Sequence, residues 1–183
     1  MASVLKSFEL PASLYADDVS QIASDTISRF GIREWQLVVM TNEIHGHLGI
    51  YSTLGAKMGL RVLEYFEQQG LGGHVQVLSF AGSEPPVSCL NDGLQISTGA
   101  TVGHGLFNVS DSPEKRAEAV FSCHGMNVGS ALKPEYETAV AEDIKRGVEQ
   151  FGHSREYWDY IRRLAIKYWA EWDRNKIFTI FAK

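Results

Sequence analysis

Two histidines separated by a single glycine form the motif in this sequence that most directly suggests chemistry. His45 and His47 lie where an apolar segment meets a predicted helix, and Gly46 gives the backbone the freedom to turn both imidazoles toward one ion. Imidazole is the commonest metal ligand among protein side chains, and such junctions often carry binding sites. The motif therefore predicts a pair of metal ligands. Two surface histidines at a helix start are the alternative interpretation.

Cys89 is the second candidate ligand, within the segment PPVSCLNDGLQISTG. Its place near the start of a predicted helix is expected to lower the pKa of the thiol and favour thiolate, the form that binds metals. A small buried thiol is the alternative. Asp92 follows three residues later on the same helical face. It is a candidate further ligand, a proton shuttle, or a carboxylate that orients a histidine.

A glycine-rich segment, Thr98–Gly105, comes next and has three glycines that would let backbone amides approach a ligand. It lacks the lysine and the Ser or Thr of a phosphate-binding P-loop and leads into a strand, which excludes nucleotide binding of that kind. A tight turn is one interpretation. In the other, His104 is a fourth metal ligand or an acid–base group. Cys123-His124 falls at a predicted hairpin turn without a matching Cys or His pair, and is a weaker metal candidate.

The elements that position these residues can be predicted from periodicity. Apolar residues three and four apart, with proline and glycine at the ends, predict helices over Ala16–Phe30, Ile50–Gln69, Val87–Ser97, Pro134–Val148 and Arg155–Trp172. Branched, aromatic or alternating segments predict strands over Trp35–Thr41, His74–Phe80, Leu106–Val109, Glu118–Cys123, Met126–Leu132 and Ile177–Ala182, with the third, fourth and fifth antiparallel. Because helices and strands do not strictly alternate, we predict one α+β domain over residues 1–183, with a mixed or antiparallel sheet packed with helices.

Two features of the predicted helices have alternative explanations. Gly55 and Gly59 lie four residues apart in one helix, which indicates either close approach of another backbone or simple tolerance of glycine. The aromatic stripe of the last long helix is typical of a core or a dimer face, and less often of an aromatic cage for a ligand; it comprises Tyr157, Trp158, Tyr168, Trp169 and Trp172.

The composition excludes several classes of protein. The chain is 44% hydrophobic and 21% charged, with a formal net charge of −5 and a pI of 5.7. That balance argues against a nucleic-acid or anionic-membrane binder, because such proteins carry basic patches. The apolar stretches are far shorter than the roughly 20 residues of a membrane-spanning helix, and MASVLKSFELP does not have the pattern of a secretory signal. With only two cysteines, a reducing, cytoplasmic location is expected.

Two separated motifs together resemble the core domain of the FmdE family, which is named after formylmethanofuran dehydrogenase. They are HGHLGIYSTLGAKMGLRVLE and, about 25 residues later, CLNDGLQISTGATVGHG; AEAVFSCHGMNVGSALKPEY and KIFTIF resemble the following hairpin and closing strand. The resemblance implies an α+β core, often dimeric, with a metal site. At matched positions stand His45, His47 and Cys89, with Asp92, Gln95, Thr98 and Gly99 around them, so that Thr98 and Gly99 are candidates to contact a cofactor.

The sequence departs from the family pattern in two places. Where the family commonly has Cys-Pro-Gly after His-Gly-His-Leu, this chain has Gly49-Ile50-Tyr51, so one thiol is lost. It also lacks the C-terminal four-cysteine zinc finger that some members carry.

We therefore expect a homodimeric metal-binding protein, accessory to a molybdenum or tungsten oxidoreductase or involved in metal handling. The ligands suit zinc best, with nickel or iron(II) as other possibilities. Two alternatives remain open. One is an enzyme in which the ion acts on a small carbonyl substrate, with Asp92 or His104 moving the proton. The other is a metal-free interaction domain that docks through its aromatic helix.

Overall fold

Helices and strands follow one another in an irregular order in the computed structural model, which describes residues 10–152 and 154–183. The helices are α1 (Asp17–Phe30), α2 (Ile32–His45), α3 (Ile50–Gln68), α4 (Leu90–Thr98), α5 (Pro134–Phe151), α6 (Arg155–Glu171) and the short α7 (Arg174–Ile177). The strands are β1 (Gln76–Ser79), β2 (Phe107–Val109), β3 (Glu118–Cys123), β4 (Met126–Leu132) and β5 (Phe178–Ala182). Residues 1–9, which bear on the expectation about a secretory signal, lie outside the described part.

The five strands form one mixed sheet in the order β2-β1-β3-β4-β5. β1 pairs antiparallel with β3, β3 with β4 and β4 with β5. The turn between β3 and β4 places His124 and Gly125 at φ +47° and +84°, the positive values that two-residue hairpin turns require. The predicted α+β class with a mixed sheet is therefore confirmed.

One strand orientation was predicted wrongly. β2 does not form part of an antiparallel set but pairs parallel with β1, with Phe107 opposite Val77. The connection between the two strands contains α4, and a crossover that contains a helix returns the chain in the parallel direction. β2 is therefore an edge strand whose position depends on α4.

The predicted strand at Trp35–Thr41 is also wrong, because this segment is the middle of α2. Its buried residues, Trp35, Val38 and Thr41, recur three residues apart, and each is at most 1% exposed. That spacing follows the helical period, so packing of one helical face against the core overrides the preference of Val38 and Val39 for strands. The error matters for the site, because His45 ends a helix and not a strand.

Glycines bring α3 and α4 into backbone contact. A Cβ atom added at Gly55 would meet the carbonyl oxygen of Leu90, and one added at Gly93 would meet the backbone of Ala56 and Ser52. A Cβ at Gly59 would meet the side chain of Ser97. The predicted close approach of another backbone is confirmed at Gly55, whereas Gly59 faces a side chain of α4. The contact brings α4, with Asp92, against the helix that follows His45.

A buried ion pair joins α2, α3 and the end of α6. The side chains of Lys57 and Glu34 are 0% and 1% exposed, and Lys57 Nζ lies 2.7 Å from Glu34 Oε1. Lys57 Nζ also donates to the carbonyl oxygens of Trp169 and Trp172, at 3.0 and 2.8 Å. Every proton of the ammonium group therefore has an acceptor, and the pair holds α6 against the helices that flank the His45 junction.

No helix within residues 10–152 and 154–183 combines the length and apolar character needed to cross a membrane.

Candidate functional site

The junction between α2 and α3 is shaped by Gly46 and Asn42. Gly46 adopts the left-handed conformation (φ +83°), and its N–H donates to the carbonyl oxygen of Asn42, which ends α2 at His45. Glycine is favoured at such a helix end because it has no Cβ. The chain then reverses through His47 and enters α3 at Ile50.

Asn42 fixes that reversal with four hydrogen bonds. Its Oδ1 accepts from the N–H of Gly49 at 2.9 Å and from Oγ of Ser52 at 2.8 Å. Its Nδ2 donates to the carbonyl oxygen of Val38 and to Oγ1 of Thr53. The start of α3 is thereby clamped to the last turn of α2. Sequence reasoning missed this residue; its signal was an amide side chain directly after the apolar segment, three residues before His45.

His45 is the best ordered of the predicted ligands, because Asp92 holds one of its ring nitrogens. Nδ1 of His45 lies 2.6 Å from Oδ2 of Asp92, and the His45 side chain is 10% exposed. A carboxylate only accepts hydrogen bonds, so Nδ1 carries a proton, and in the neutral ring Nε2 presents its lone pair. Nε2 is buried and has no hydrogen-bond partner in the structure. Such an orphaned nitrogen beside an oriented ring is what a metal-ligating histidine presents.

His47 lies beside His45 at the surface of the junction. The centroids of the two rings are 4.3 Å apart with planes inclined at 40°, and His47 makes an edge-on contact with Trp158 of α6 at 5.5 Å. Desolvation by these neighbours lowers the pKa of His47, and the adjacent His45 lowers it further. Both effects favour the neutral imidazole, which is the form that binds metals.

Cys89 reaches the same place from α4. It ends the 3₁₀ turn Val87–Cys89 that leads into α4, is half-buried, and lines one cavity together with His45 and His47. The prediction that its position lowers the thiol pKa is wrong. Burial raises the pKa of Cys89, and the Asp92 carboxylate raises it further, since both disfavour the thiolate.

These residues do not form a finished metal cluster. Within the described ranges, no three His, Cys, Asp or Glu side chains are grouped so that they could hold an ion as they stand. The structure thus brings the three predicted ligands to one cavity and leaves their ligand atoms unconverged. Of the three, only His45 has its ring orientation set by a hydrogen bond to a carboxylate.

Thr98, Gly99 and His104 lie at the other end of α4. At 1.5 Å of rise per residue, the helix puts Thr98 roughly 13 Å from Cys89, and Gly99 and His104 follow Thr98. Oγ1 of Thr98 donates to the carbonyl oxygen of Leu94 and accepts from the N–H of Ala100, and Gly99 is the left-handed residue that ends α4. His104 is exposed, with Nδ1 3.3 Å from the carbonyl oxygen of Gly99. None of the three lines the cavity of His45.

The aromatic side chains of α6 lie partly in the core and partly at the cavity. Tyr168 and Trp169 are buried, as expected for a core stripe, and Trp169 stacks on Trp35 at 4.2 Å. Tyr157 and Trp158, one turn into α6, line the cavity instead, and Trp158 is 53% exposed.

Comparison with known proteins adds one finding. Among curated proteins none matches the chain. The family model described as FmdE, molybdenum formylmethanofuran dehydrogenase operon, matches residues 44–179, a range that contains the α2–α3 junction, α4 and the whole sheet up to the start of β5. This chain therefore belongs to the FmdE family.

Proposed function

We propose that the protein binds a divalent transition metal at the α2–α3 junction, with Nε2 of His45 as the first ligand. The observation that carries the proposal is that this nitrogen is buried and unpartnered while Nδ1 is held by Asp92. A buried polar atom without a partner costs roughly 1–3 kcal/mol, which a bound ion would relieve. His47 and Cys89 are the further ligands, since both line the same cavity.

The donor set fits zinc best, and nickel or iron(II) next, because imidazole and thiolate are ligands of intermediate and soft character. The ligand atoms must still converge. His47 is exposed and already lies against the His45 ring, so a turn of its ring gives up only this contact and the edge-on contact with Trp158. Cys89 is the weaker candidate, because its raised pKa disfavours the thiolate. When bound, the ion would supply a Lewis acid beside the cavity.

Membership in a family named for the molybdenum formylmethanofuran dehydrogenase operon supports a role alongside such an enzyme. We infer that the protein acts as an accessory to a molybdenum or tungsten oxidoreductase, or in metal handling, as a homodimer in the cytoplasm. Light scattering on the purified protein tests the dimer, and affinity capture with the purified oxidoreductase tests the partner.

Metal content per chain tests the site directly. Wild-type protein is produced with supplemented zinc, nickel or iron and analysed by elemental mass spectrometry, beside His45→Ala and its matched control His104→Ala. We expect about one ion per chain in the wild type and in the control, and loss of the ion in His45→Ala. A metal-free wild type, or equal loss in both variants, would refute the site.

Two cysteine variants test whether Cys89 is a metal ligand or only a packed side chain. Cys89→Ser should lower metal occupancy with little effect on the metal-free melting temperature, since serine is nearly isosteric but a poor soft ligand. Cys123→Ser is the control, because Cys123 is 2% exposed in β3 and away from the cavity. It should keep its metal and lose about 1–3 kcal/mol of stability through a buried hydroxyl. Unchanged metal in Cys89→Ser would remove Cys89 from the site.

An enzyme acting on a small carbonyl compound is the second candidate, favoured by the cavity beside His45. Of the two predicted proton carriers, His104 lies outside that cavity, which leaves Asp92, in contact with Nδ1 of His45. Turnover would then require Asp92 as well as the ion.

A further inference from the structure

The cavity beside His45 is walled mainly by apolar side chains. It has a volume of about 220 Å³ and lies between the α2–α3 junction, the segment before α4, and helices α5 and α6. Its apolar wall includes Tyr51, Pro86, Ile144, Tyr157, Trp158 and Ile161. Trp158 is 53% exposed and stands at the mouth, whereas Tyr51 and Ile161 are each 7% exposed and form the floor.

The absence of charged side chains from the wall restricts the charge of the ligand. Among the residues that the structure describes, no Lys, Arg, Asp or Glu lines this cavity; Asp92 is turned to Nδ1 of His45. In the metal-free protein a phosphate or carboxylate would enter without a counter-charge from the wall, and a buried unpaired charge is costly. The wall therefore favours an uncharged ligand.

The size of the cavity sets the scale of that ligand. An engineered apolar cavity of about 150 Å³ is known to hold benzene, so 220 Å³ accommodates one ring and a small substituent. Two aromatic side chains of the wall, Tyr157 and Trp158, offer the edge-on and offset contacts that rings prefer.

A polar end of the ligand would be recognised at His45, which lines the cavity. Nε2 of His45 is buried, has no hydrogen-bond partner and, in the neutral ring, presents its lone pair. The backbone of Gly49 packs against this ring without a side chain; a Cβ added there would lie 3.3 Å from Nε2 and 2.7 Å from Oγ of Ser52. A ligand N–H or O–H can donate to that lone pair, and a ligand oxygen can instead reach an ion held there.

We propose that this cavity binds a small uncharged molecule, about one ring in size, with an apolar body against α5 and α6 and one polar group directed at Nε2 of His45. The contact of that polar group with an ion rests on the proposed metal function. The binding of the apolar body does not, so the two can fail separately.

Benzamide is the probe, titrated into metal-stripped and metal-loaded full-length protein and followed by calorimetry and the Trp158 indole N–H signal in ¹⁵N NMR, assigned with Trp158→Phe. Benzoate and benzamidinium have the same ring with a negative or positive charge. On the metal-stripped protein we expect saturable benzamide binding at about millimolar strength for a ligand of this size, and at least about tenfold weaker binding of both charged analogues.

Two substitutions one helical turn apart locate the binding. Ile144→Trp fills the cavity and should weaken benzamide binding at least about tenfold, whereas Val148→Trp, on the same helix but outside the cavity, should leave it unchanged. If Ile144→Trp does not fold, Trp158→Ala replaces it, because Trp158 is half-exposed and its loss spares the core. Benzamide that fails to bind the metal-stripped protein, binds equally to Ile144→Trp, or binds no better than benzoate overturns the inference. A wild type that binds benzamide and no metal overturns the proposed function alone.

Discussion

Replacing Asp92 with asparagine tests whether that residue orients His45 or is itself a ligand. The Asp92–His45 contact is short, at 2.6 Å, and joins a carboxylate to a ring nitrogen that is nearly buried. Removing an outer carboxylate partner of a metal-ligating histidine usually costs 10–100-fold in metal affinity, or about 1.4–2.8 kcal/mol. Asp92 is 38% exposed, so water and the new amide recover part of the loss. We therefore expect the lower end, about tenfold.

Metal affinity is measured by competition with a chelator of known Kd, on wild type, Asp92→Asn and Asp111→Asn. Asp111 is an exposed aspartate between β2 and β3 and serves as the control for loss of one negative charge. His45→Ala gives the scale for losing a direct ligand. An affinity equal to that of the wild type would refute the orienting role. An Asp92→Asn loss as large as that of His45→Ala would show that Asp92 binds the ion itself.

Three further substitutions test the site and the packing that positions it. Gly49→Ala should lower metal affinity by about tenfold in the same competition assay, because its Cβ would lie 2.7 Å from Oγ of Ser52 and 3.3 Å from Nε2 of His45 and so crowd the ligand atom. An unchanged affinity would place the ion elsewhere. Gly93→Ala should lower the free energy of unfolding in urea by about 1–3 kcal/mol, since its methyl meets the α3 backbone. Gly72→Ala, with open space around it, should change the free energy of unfolding by no more than about 0.5 kcal/mol. Equal effects would contradict the close helix contact. Lys57→Met should cost about 3–5 kcal/mol, because Oε1 of Glu34 loses its buried partner and only the ion pair of Oε2 with Arg174 at 2.9 Å is left. Lys145→Met, at a side chain that is 75% exposed, should cost less than about 0.5 kcal/mol. A stable Lys57→Met protein would mean that Arg174 alone satisfies Glu34.

Most of the elements could be predicted from the sequence, because their patterns are local. The helix of α3 follows from apolar residues on one face, and the hairpin of β3 and β4 follows from alternation on either side of His124-Gly125. The segment at Trp35–Thr41 could not be assigned in this way. Its branched residues favour a strand locally, and tertiary contacts with α1, α3, α4 and Trp169 of α6 select the helical face that becomes buried.

The sequence identified the residues of the site better than it predicted their arrangement in space. Residue type and spacing identified His45, His47, Cys89 and Asp92, and the structure places all four at one end of α4. The same reasoning grouped them with Thr98, Gly99 and His104, which lie nearby in the sequence. That grouping failed because proximity in sequence says little about which end of a helix a residue occupies. The pKa of Cys89 was mispredicted for a related reason. The helix start was visible in the sequence, whereas the burial of the thiol and the Asp92 charge beside it depend on the fold.

The contact between Asp92 and His45 joins residues 47 positions apart, and it exists because glycines let α4 lie directly on α3. Gly55 and Gly93 are therefore part of the site although neither offers a functional group, since a methyl at either would displace the carboxylate from the ring. That displacement would free Nδ1 as well as Nε2, and the imidazole would lose its single defined tautomer. The metal proposal and the ligand proposal both depend on the lone pair at Nε2, so Gly93→Ala should weaken metal and benzamide binding together, whereas Ile144→Trp should weaken benzamide binding alone. Measuring both affinities in both variants separates loss of the oriented histidine from loss of the cavity.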